Sequence, residues 1–391
     1  MVRPSSESRR ARCDSMTGKY RVPMSAPDIQ PEDFEFVAQV LRSGILSIGP
    51  YVDTFEREFA EYVGTRHAVA VANGTAGLHL CIRAAGISDG DEVITTPFSF
   101  IASANCIVYE RALPVFVDID ETSMNLDPVL ARAAVNDRTR AILPVHVFGQ
   151  PCAMNELGAL CAEHALLLIE DACEAVGSEY CGRKVGTFGK AAVFAFYPNK
   201  QMTMGEGGVI TTDDSNWDAL LRSLRNHGRN QVGTRLSHEH LGYNYRVDEL
   251  SAALGLAQLR RIEDLLSRRQ AVSGRYHRLL REVSGIDLIQ VLPSTTRLGW
   301  FVFVIRLRAG IDRDRVIVCL EENRIPSRLY FPPIHLQPYY RKRFGFSEGD
   351  FPIAERVAAS TLALPFHGNL SDDEMLYVVE SLQSAITHAS D

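Results

Sequence analysis

From about residue 67, short apolar runs rich in β-branched residues alternate with helical patterns. HAVAVA (67–72), DEVITTP (91–97), LPVFVDID (113–120), RAILPVHVFG (140–149), ALLLIEDAC (165–173), AAVFAFYP (191–198) and GGVITTD (207–213) read as seven strands. Their apolar positions are continuous rather than alternating. That predicts strands buried on both faces, in a mostly parallel seven-stranded sheet covered by helices, an α/β fold. AGLHLCIRAAG, after the first run, has the spacing of such a helix. In sheets of this kind ligands collect beyond the carboxyl ends of the strands.

The pattern changes after RVDELSAALGLAQLRRIEDLLSRRQ (246–270), which reads as one long linking helix. Asp248 is its predicted N-cap, and Leu250, Leu254, Ile262, Leu265 and Leu266 mark its apolar face. Further on, WFVFVIRL (300–307) predicts a strand, DRVIVCLEENR (314–324) a helix, and SDDE (371–374) the capping box of a final helix. The organisation predicted is an N-terminal extension over 1–22, a large domain over 23–250 and a smaller α+β domain over 251–391. The extension has arginines but no apolar core after them, which predicts a disordered segment rather than a secretory signal.

Composition narrows the function classes. A chain of 391 residues, 46% hydrophobic and 23% charged, suits two packed domains. A net charge of -7, without a basic run interleaved with aromatics, is not the footprint of a nucleic-acid binder. The eight cysteines form no CxxC pair, which predicts buried thiols in a reducing cytoplasm and no zinc site. No stretch of about 18 apolar residues exists to span a membrane.

Lysine usage is more telling. Of 41 Lys plus Arg only five are lysines: Lys19, Lys184, Lys190, Lys200 and Lys342. Arginine keeps its proton at neutral pH, whereas a desolvated lysine can become a nucleophilic amine. Lys200 follows the run AAVFAFYP and precedes the turn GEGG, so it is a candidate for amine chemistry as well as for a plain surface charge. Two other features fall at strand ends. NGT (73–75) offers a tight turn at Gly74, the Thr75 hydroxyl and the first N–H groups of a helix, which together suit a phosphate dianion. Asp171, in IEDACEA, ends the most apolar strand; an ionised carboxylate there needs a cation or several donors, unless it caps a helix. A phosphate cradle, a buried carboxylate and a solitary lysine match pyridoxal 5'-phosphate. Asp171 would pair with its protonated pyridine nitrogen and Lys200 would form the Schiff base.

Longer stretches carry a resemblance. SGILSIGPYVDTFEREFAEYVGTRHAVAVANGTAGLHL (43–80), TTPFSFIASAN (95–105), LPVHVFGQP (143–151), IEDACEAVGSEYCGRKVGTFG (169–189), FYPNKQMTMGEGG (196–208), LGYNYRVDELSAALGLAQL (241–259) and YFPPIHLQPYY (330–340) resemble the DegT/DnrJ/EryC1/StrS family of sugar aminotransferases. The likeness runs from about residue 24 over nearly the whole chain. It implies the aspartate aminotransferase type I fold. It also implies that Gly74, Thr75 and Ala76 hold the phosphate, Phe100 stacks on the pyridine ring, and Lys200 is both anchor and acid/base. Asn244 would reach the phosphate of a neighbouring subunit's cofactor, so that a homodimer shares its active sites. His335 and Tyr330 would face the substrate.

Two positions depart from the family pattern. Ala195 stands where a serine hydroxyl is common, leaving Asn199 or backbone amides to hold the phosphate. Glu174 stands where Gln or His is expected near the cofactor's phenolic oxygen, so it is protonated there or turned elsewhere. Relatives that became dehydratases carry histidine at the lysine position, and Lys200 points away from that branch. The implied reaction moves an amino group from L-glutamate to a keto sugar, a nucleotide-linked 4-keto-6-deoxyhexose. A 3-keto sugar, a cyclitol ketone such as an inosose, and a cofactor-binding regulator without turnover are the alternatives. A nicotinamide oxidoreductase would need GxGxxG after the first strand, which VANGTAGLHL does not supply.

Overall fold

Each apolar run of the first half becomes a strand. In chain order these are β1 (His67–Val71), β2 (Glu92–Thr95), β3 (Leu113–Phe116), β4 (Thr139–Ile142), β5 (Leu167–Asp171), a hairpin of β6 (Glu179–Tyr180) and β7 (Arg183–Lys184), β8 (Ala191–Ala195) and β9 (Gly208–Thr212). The computed structural model describes residues 19–229 and 237–389. One seven-stranded sheet has the order β1-β9-β8-β5-β4-β2-β3. Only β9 runs against its neighbours, antiparallel to β1 and β8. GGVITTD thus departs from the parallel run, because the link 196–207 contains no helix to carry the chain back across the sheet. Crossover helices follow β1 (Gly74–Ala84), β2 (Ala102–Tyr109) and β4 (Met154–Glu163).

Strand parity sorts side chains between two cores. Val69, Val71, Val193 and Ile210 join Leu78 and Leu80 on one face. Ala68, Ala70, Ala192 and Phe194 join Phe55 and Phe59 on the other. Phe59 sits edge-on to Phe194 and Phe196, with ring centroids 5.2 and 5.5 Å apart. Burying each such side chain contributes roughly 1.5–3 kcal/mol. On β5 the same parity separates adjacent carboxylates. Glu170 is fully buried away from the ligand end, where it accepts the amides of Gly186, Phe188 and Gly189, each at 2.8 Å.

The expected linking helix is two helices, Glu249–Arg260 and Ile262–Leu280. They part at Arg261, whose backbone leaves the helical region (φ -117, ψ 20) and whose guanidinium bonds Asp28 and Asp33. Asp248 does cap the first, accepting from the Ser251 amide at 2.9 Å. Glu249 caps a different helix, Pro50–Val63, taking the amides of Gly49, Tyr51 and Val52. Ala252, Leu256 and Leu259 pack with Phe55 and Phe59, whereas Val272, Tyr276 and Leu280 pack in the smaller domain. A division after residue 250 therefore lies inside a helix of the large-domain core, and the change of core comes along Ile262–Leu280.

In the smaller domain β10 (Ile286–Leu288), β12 (Phe303–Leu307) and β13 (Thr361–Leu364) form an antiparallel sheet, while β11 (Thr295–Arg297) pairs with β6. Helices Arg313–Glu322 and Asp372–Ala389 pack on this domain, the latter opened by the Ser371–Glu374 capping box. Of the segment 1–22 read as an extension, residues 1–18 lie outside the described residues. Its last residues belong to the smaller domain: the Arg21 amide donates to the Arg324 carbonyl and Val22 is fully buried. Among the described residues no helix is long and apolar enough to cross a membrane.

Glu121 ties the two parts together, accepting from Arg356 at 2.7 Å and Arg306 of β12 at 2.9 Å. The Arg356 hydrogen bond, then that of Arg306, pulls its carboxyl down to about 2. An unfolded glutamate titrates near 4.3, so this stabilisation is present above about pH 4.5 and is lost as the pH falls toward 2. Wild type should exceed Glu121→Gln in urea midpoint at neutral pH, and the gap should narrow as unfolding is repeated from about pH 5 to about pH 3.

Candidate active site

The carboxyl ends of β1, β2, β5 and β8 open onto one cavity of about 390 Å³. Gly74 and Thr75 line it after β1, Ser99, Phe100 and Ser103 after β2, and Asp171, Cys173 and Glu174 at and after the end of β5. Ala195, Tyr197, Asn199 and Lys200 line it at and after the end of β8, and Phe301, Tyr330 and Phe331 close it from the C-terminal part. A larger recess, about 830 Å³, lies around Glu56, but it has no lysine, and Glu56 already engages its Arg222 and Arg225.

At the cradle, Asn73 is extended and caps the helix Gly74–Ala84. Its side chain takes the Ala76 amide at 2.8 Å and its carbonyl takes the Gly77 amide at 3.1 Å. Those bonds leave the Gly74 and Thr75 amides, the first two of the helix, for an anion. Ala76 is buried and its amide is spent on Asn73, so the three-residue cradle expected from the sequence shortens to two. Gly74 is required by a close approach: a Cβ there would sit 2.8 Å from Cys173 Sγ and 2.9 Å from Ala195 Cβ.

Asp171 is buried. It accepts from the Ser103 hydroxyl at 2.7 Å and the Cys173 amide at 3.1 Å, and no helix follows for it to cap. Lys200 Nζ lies 3.5 Å from Glu174 Oε1 and 3.8 Å from the centroid of the Phe301 ring. Glu174 Oε2 accepts the Phe148 amide at 2.9 Å. That amide is aimed by a left-handed turn, with φ 57 at Phe148 and φ 91 at Gly149. Burial pushes the Glu174 carboxyl above the usual range, opposed by the charge of Lys200 and the Phe148 amide. Glu174 is thus turned toward the lysine.

The Lys200 backbone is fixed from the smaller domain's side. Arg269, buried on the helix Ile262–Leu280, donates to the carbonyls of Lys200 at 2.7 Å and Asn199 at 3.4 Å, and to those of Trp300 and Phe301. Burial pulls its guanidinium down to about 10. Gln201 repeats the device, donating to the carbonyls of Glu174 at 2.6 Å and Gly299 at 2.7 Å.

Of the other residues singled out, Phe100 stands 61% exposed at the mouth, and Tyr330 is on the wall with its phenol raised by burial. Asn199 is there too, with its Oδ1 buried and without a partner. Asn244 is exposed and outside the cavity of its own chain. His335 does not reach the cavity, which corrects its substrate-side assignment. It is fully buried, 2.9 Å from Glu355 Oε1 and edge-on to Phe351.

The family profile described as the DegT/DnrJ/EryC1/StrS aminotransferase family matches residues 27–383. The chain belongs to this family. It is similar to the spore coat polysaccharide biosynthesis protein SpsC of Bacillus subtilis (strain 168), 40% identical over 381 residues, or 94% of this chain and 98% of SpsC. It is also similar to the GDP-perosamine synthase of Caulobacter vibrioides, 38% identical over 95% of this chain and 100% of that one. Among solved structures, S. venezuelae DesV in complex with a ketimine intermediate superposes with a TM-score of 0.87 at 36% identity, covering 93% of this chain and 98% of DesV. As a DegT/DnrJ/EryC1/StrS member the chain is a sugar aminotransferase that depends on pyridoxal phosphate.

Ser103, Phe301 and Arg269 are among the residues of the site that the sequence reading missed. Ser103 was signalled only by its spacing of four from Ser99, whose hydroxyl it meets at 2.9 Å. Phe301 looks like any core position of WFVFVIRL, and Arg269 like any solvated arginine of its helix. Replacing Arg269 by Met leaves several buried carbonyls unpaired. It should cost on the order of 3 kcal/mol in urea unfolding and loosen cofactor retention on dialysis.

Proposed function

We propose that the chain transfers an amino group from L-glutamate to a nucleotide-linked 4-keto-6-deoxyhexose, as a homodimer whose two chains share their active sites. The observation that carries the reading is the meeting of a lysine, a doubly hydrogen-bonded carboxylate and a two-amide helix terminus in one cavity. The donor set fits pyridoxal phosphate. Two free amides and the Thr75 hydroxyl suit a dianion, and Gly74 lies so tightly on Cys173 and Ala195 that a Cβ would fill the cradle. Bound there, the cofactor supplies the electron sink for a carbanion at the substrate carbon.

The chain's own residues then divide the work. Asp171 would hold the ring nitrogen protonated, oriented by Ser103 and the Cys173 amide. Ala195 adds no hydroxyl, so the phosphate grip within this chain rests on Gly74 and Thr75. Phe100 would lie against the ring. Lys200 Nζ would anchor the cofactor and, once freed, carry the proton to and from the substrate carbon. Tyr197, 52% exposed, and Tyr330 leave an aromatic mouth suited to a sugar face. Asn244, exposed outside its own cavity, is free to serve a second copy, and exposed Phe34, Leu41, Ile48 and Leu241 offer apolar area to bury there. The similarity to a GDP-perosamine synthase supports a nucleotide-linked sugar.

Incubating the loaded enzyme with L-glutamate should shift its visible absorbance to that of the aminated cofactor; an unchanged spectrum would favour the regulator without turnover. A mass-spectrometric screen of keto-sugar nucleotides and inososes, with glutamate as donor, should give an amine from a 4-keto-6-deoxyhexose nucleotide, and amination of an inosose alone would refute it. Lys200→Ala should lose both the visible band of the lysine-bound cofactor and turnover, with unchanged circular dichroism.

A further inference from the structure

We propose that Glu174 and Lys200 share a single proton: the one Lys200 gives up when its amine becomes nucleophilic passes to Glu174 Oε1 and stays in the cavity. The inference rests on the reading of Lys200 as the covalent anchor. An ammonium cannot attack a carbonyl carbon, so Lys200 must shed a proton before it forms its bond. One N–H bond breaks at Nζ and one O–H bond forms at Glu174. That transfer consumes no other reactant and takes the pair from two charges to none; in the condensation that follows, the two hydrogens left on Nζ leave with the carbonyl oxygen as water.

Geometry selects Glu174 as the acceptor. Its Oε1 is 3.5 Å from Nζ, and the two side chains are only 13% (Lys200) and 7% (Glu174) exposed, so bulk water is a poor competitor. Oε2 is occupied by the Phe148 amide, which leaves Oε1 for the lysine. The Phe301 ring covers another side of the ammonium and offers no site for a proton. The remaining titratable groups on the wall are Asp171, Cys173, Tyr197, Glu206 and Tyr330. Asp171 is engaged by Ser103 and the Cys173 amide. Burial raises the Cys173 thiol and the Tyr330 phenol, which keeps both protonated and unable to accept. Tyr197 and Glu206 stand exposed.

The exchange reinforces itself. Burial, with a smaller push from the charge of Asp171, raises the Glu174 carboxyl, while the charge of Lys200 opposes the rise. Once Lys200 is neutral that opposition vanishes and the carboxyl binds its proton more tightly. A neutral pair also avoids leaving Glu174 as a lone buried anion.

The test adds pyridoxal phosphate to cofactor-free enzyme and records the infrared difference spectrum beside the visible band of the lysine-bound cofactor. A protonated-carboxyl stretch should appear with the band, move in deuterated water, and be absent in Glu174→Gln. That variant should also release about one more proton per site on loading, counted by calorimetry in buffers of different ionisation enthalpy. A band without the stretch in wild type, or a stretch that survives in Glu174→Gln, overturns the proposal. Should Glu174→Gln not fold, Glu174→Asp decides: the stretch changes frequency if it belongs to this residue and stays put if it does not. Absence of the visible band itself would instead refute Lys200 as the anchor, and the proposal with it.

Discussion

The site depends on a cation that, among the described residues, has no carboxylate to pair with. The hydrogen bonds of Arg269 go to carbonyl oxygens of two segments, the Asn199–Lys200 turn of the large domain and Trp300–Phe301 of the chain leading into β12. A buried guanidinium in this setting is costly unless its donors are spent, and its fixed fork can serve several carbonyls at once. It therefore joins the lysine turn to the stretch that carries Phe301, the ring beneath the Lys200 ammonium. Gln201 ties the same turn to the backbone of Glu174. Lysine, carboxylate and ring are thus held by main-chain contacts, which leaves Lys200 Nζ and Glu174 Oε1 to meet.

Much of this was legible because the features are local. The seven apolar runs, the NGT turn and the lone Lys200 declare themselves within a few residues, since burial on two faces and a helix terminus leave marks in sequence. What failed to show was set by distant partners. The reversed direction of β9 follows from what its link lacks. The N-terminus of Pro50–Val63 is capped by Glu249, a residue of another helix, and no local pattern could announce it. His335 was assigned to the substrate side by its place in the family-like stretch YFPPIHLQPYY, yet Glu355 and Phe351, from the helix Pro352–Ser360 and the residue just before it, claim the ring. Ala76 looked available until Asn73 took its amide.

The two departures from the family pattern turn out to be physically different in kind. Ala195 is a subtraction, matched by a cradle so close to its Cβ that Gly74 has no room for a side chain. Glu174 is an addition. It brings a second buried carboxylate into a cavity that already holds Asp171, which is tolerable because each has its own donors: Ser103 and the Cys173 amide for one, Lys200 and the Phe148 amide for the other.

The neighbouring carboxylates of β5 carry a last implication. Glu170 feeds three loop amides and Asp171 faces the cofactor cavity, and only the two-residue repeat of the strand decides which does which. A slip of one residue between β5 and its partners β4 and β8 would turn Glu170 to the cavity face and Asp171 away from it. The pairing register of this strand is therefore itself a chemical determinant.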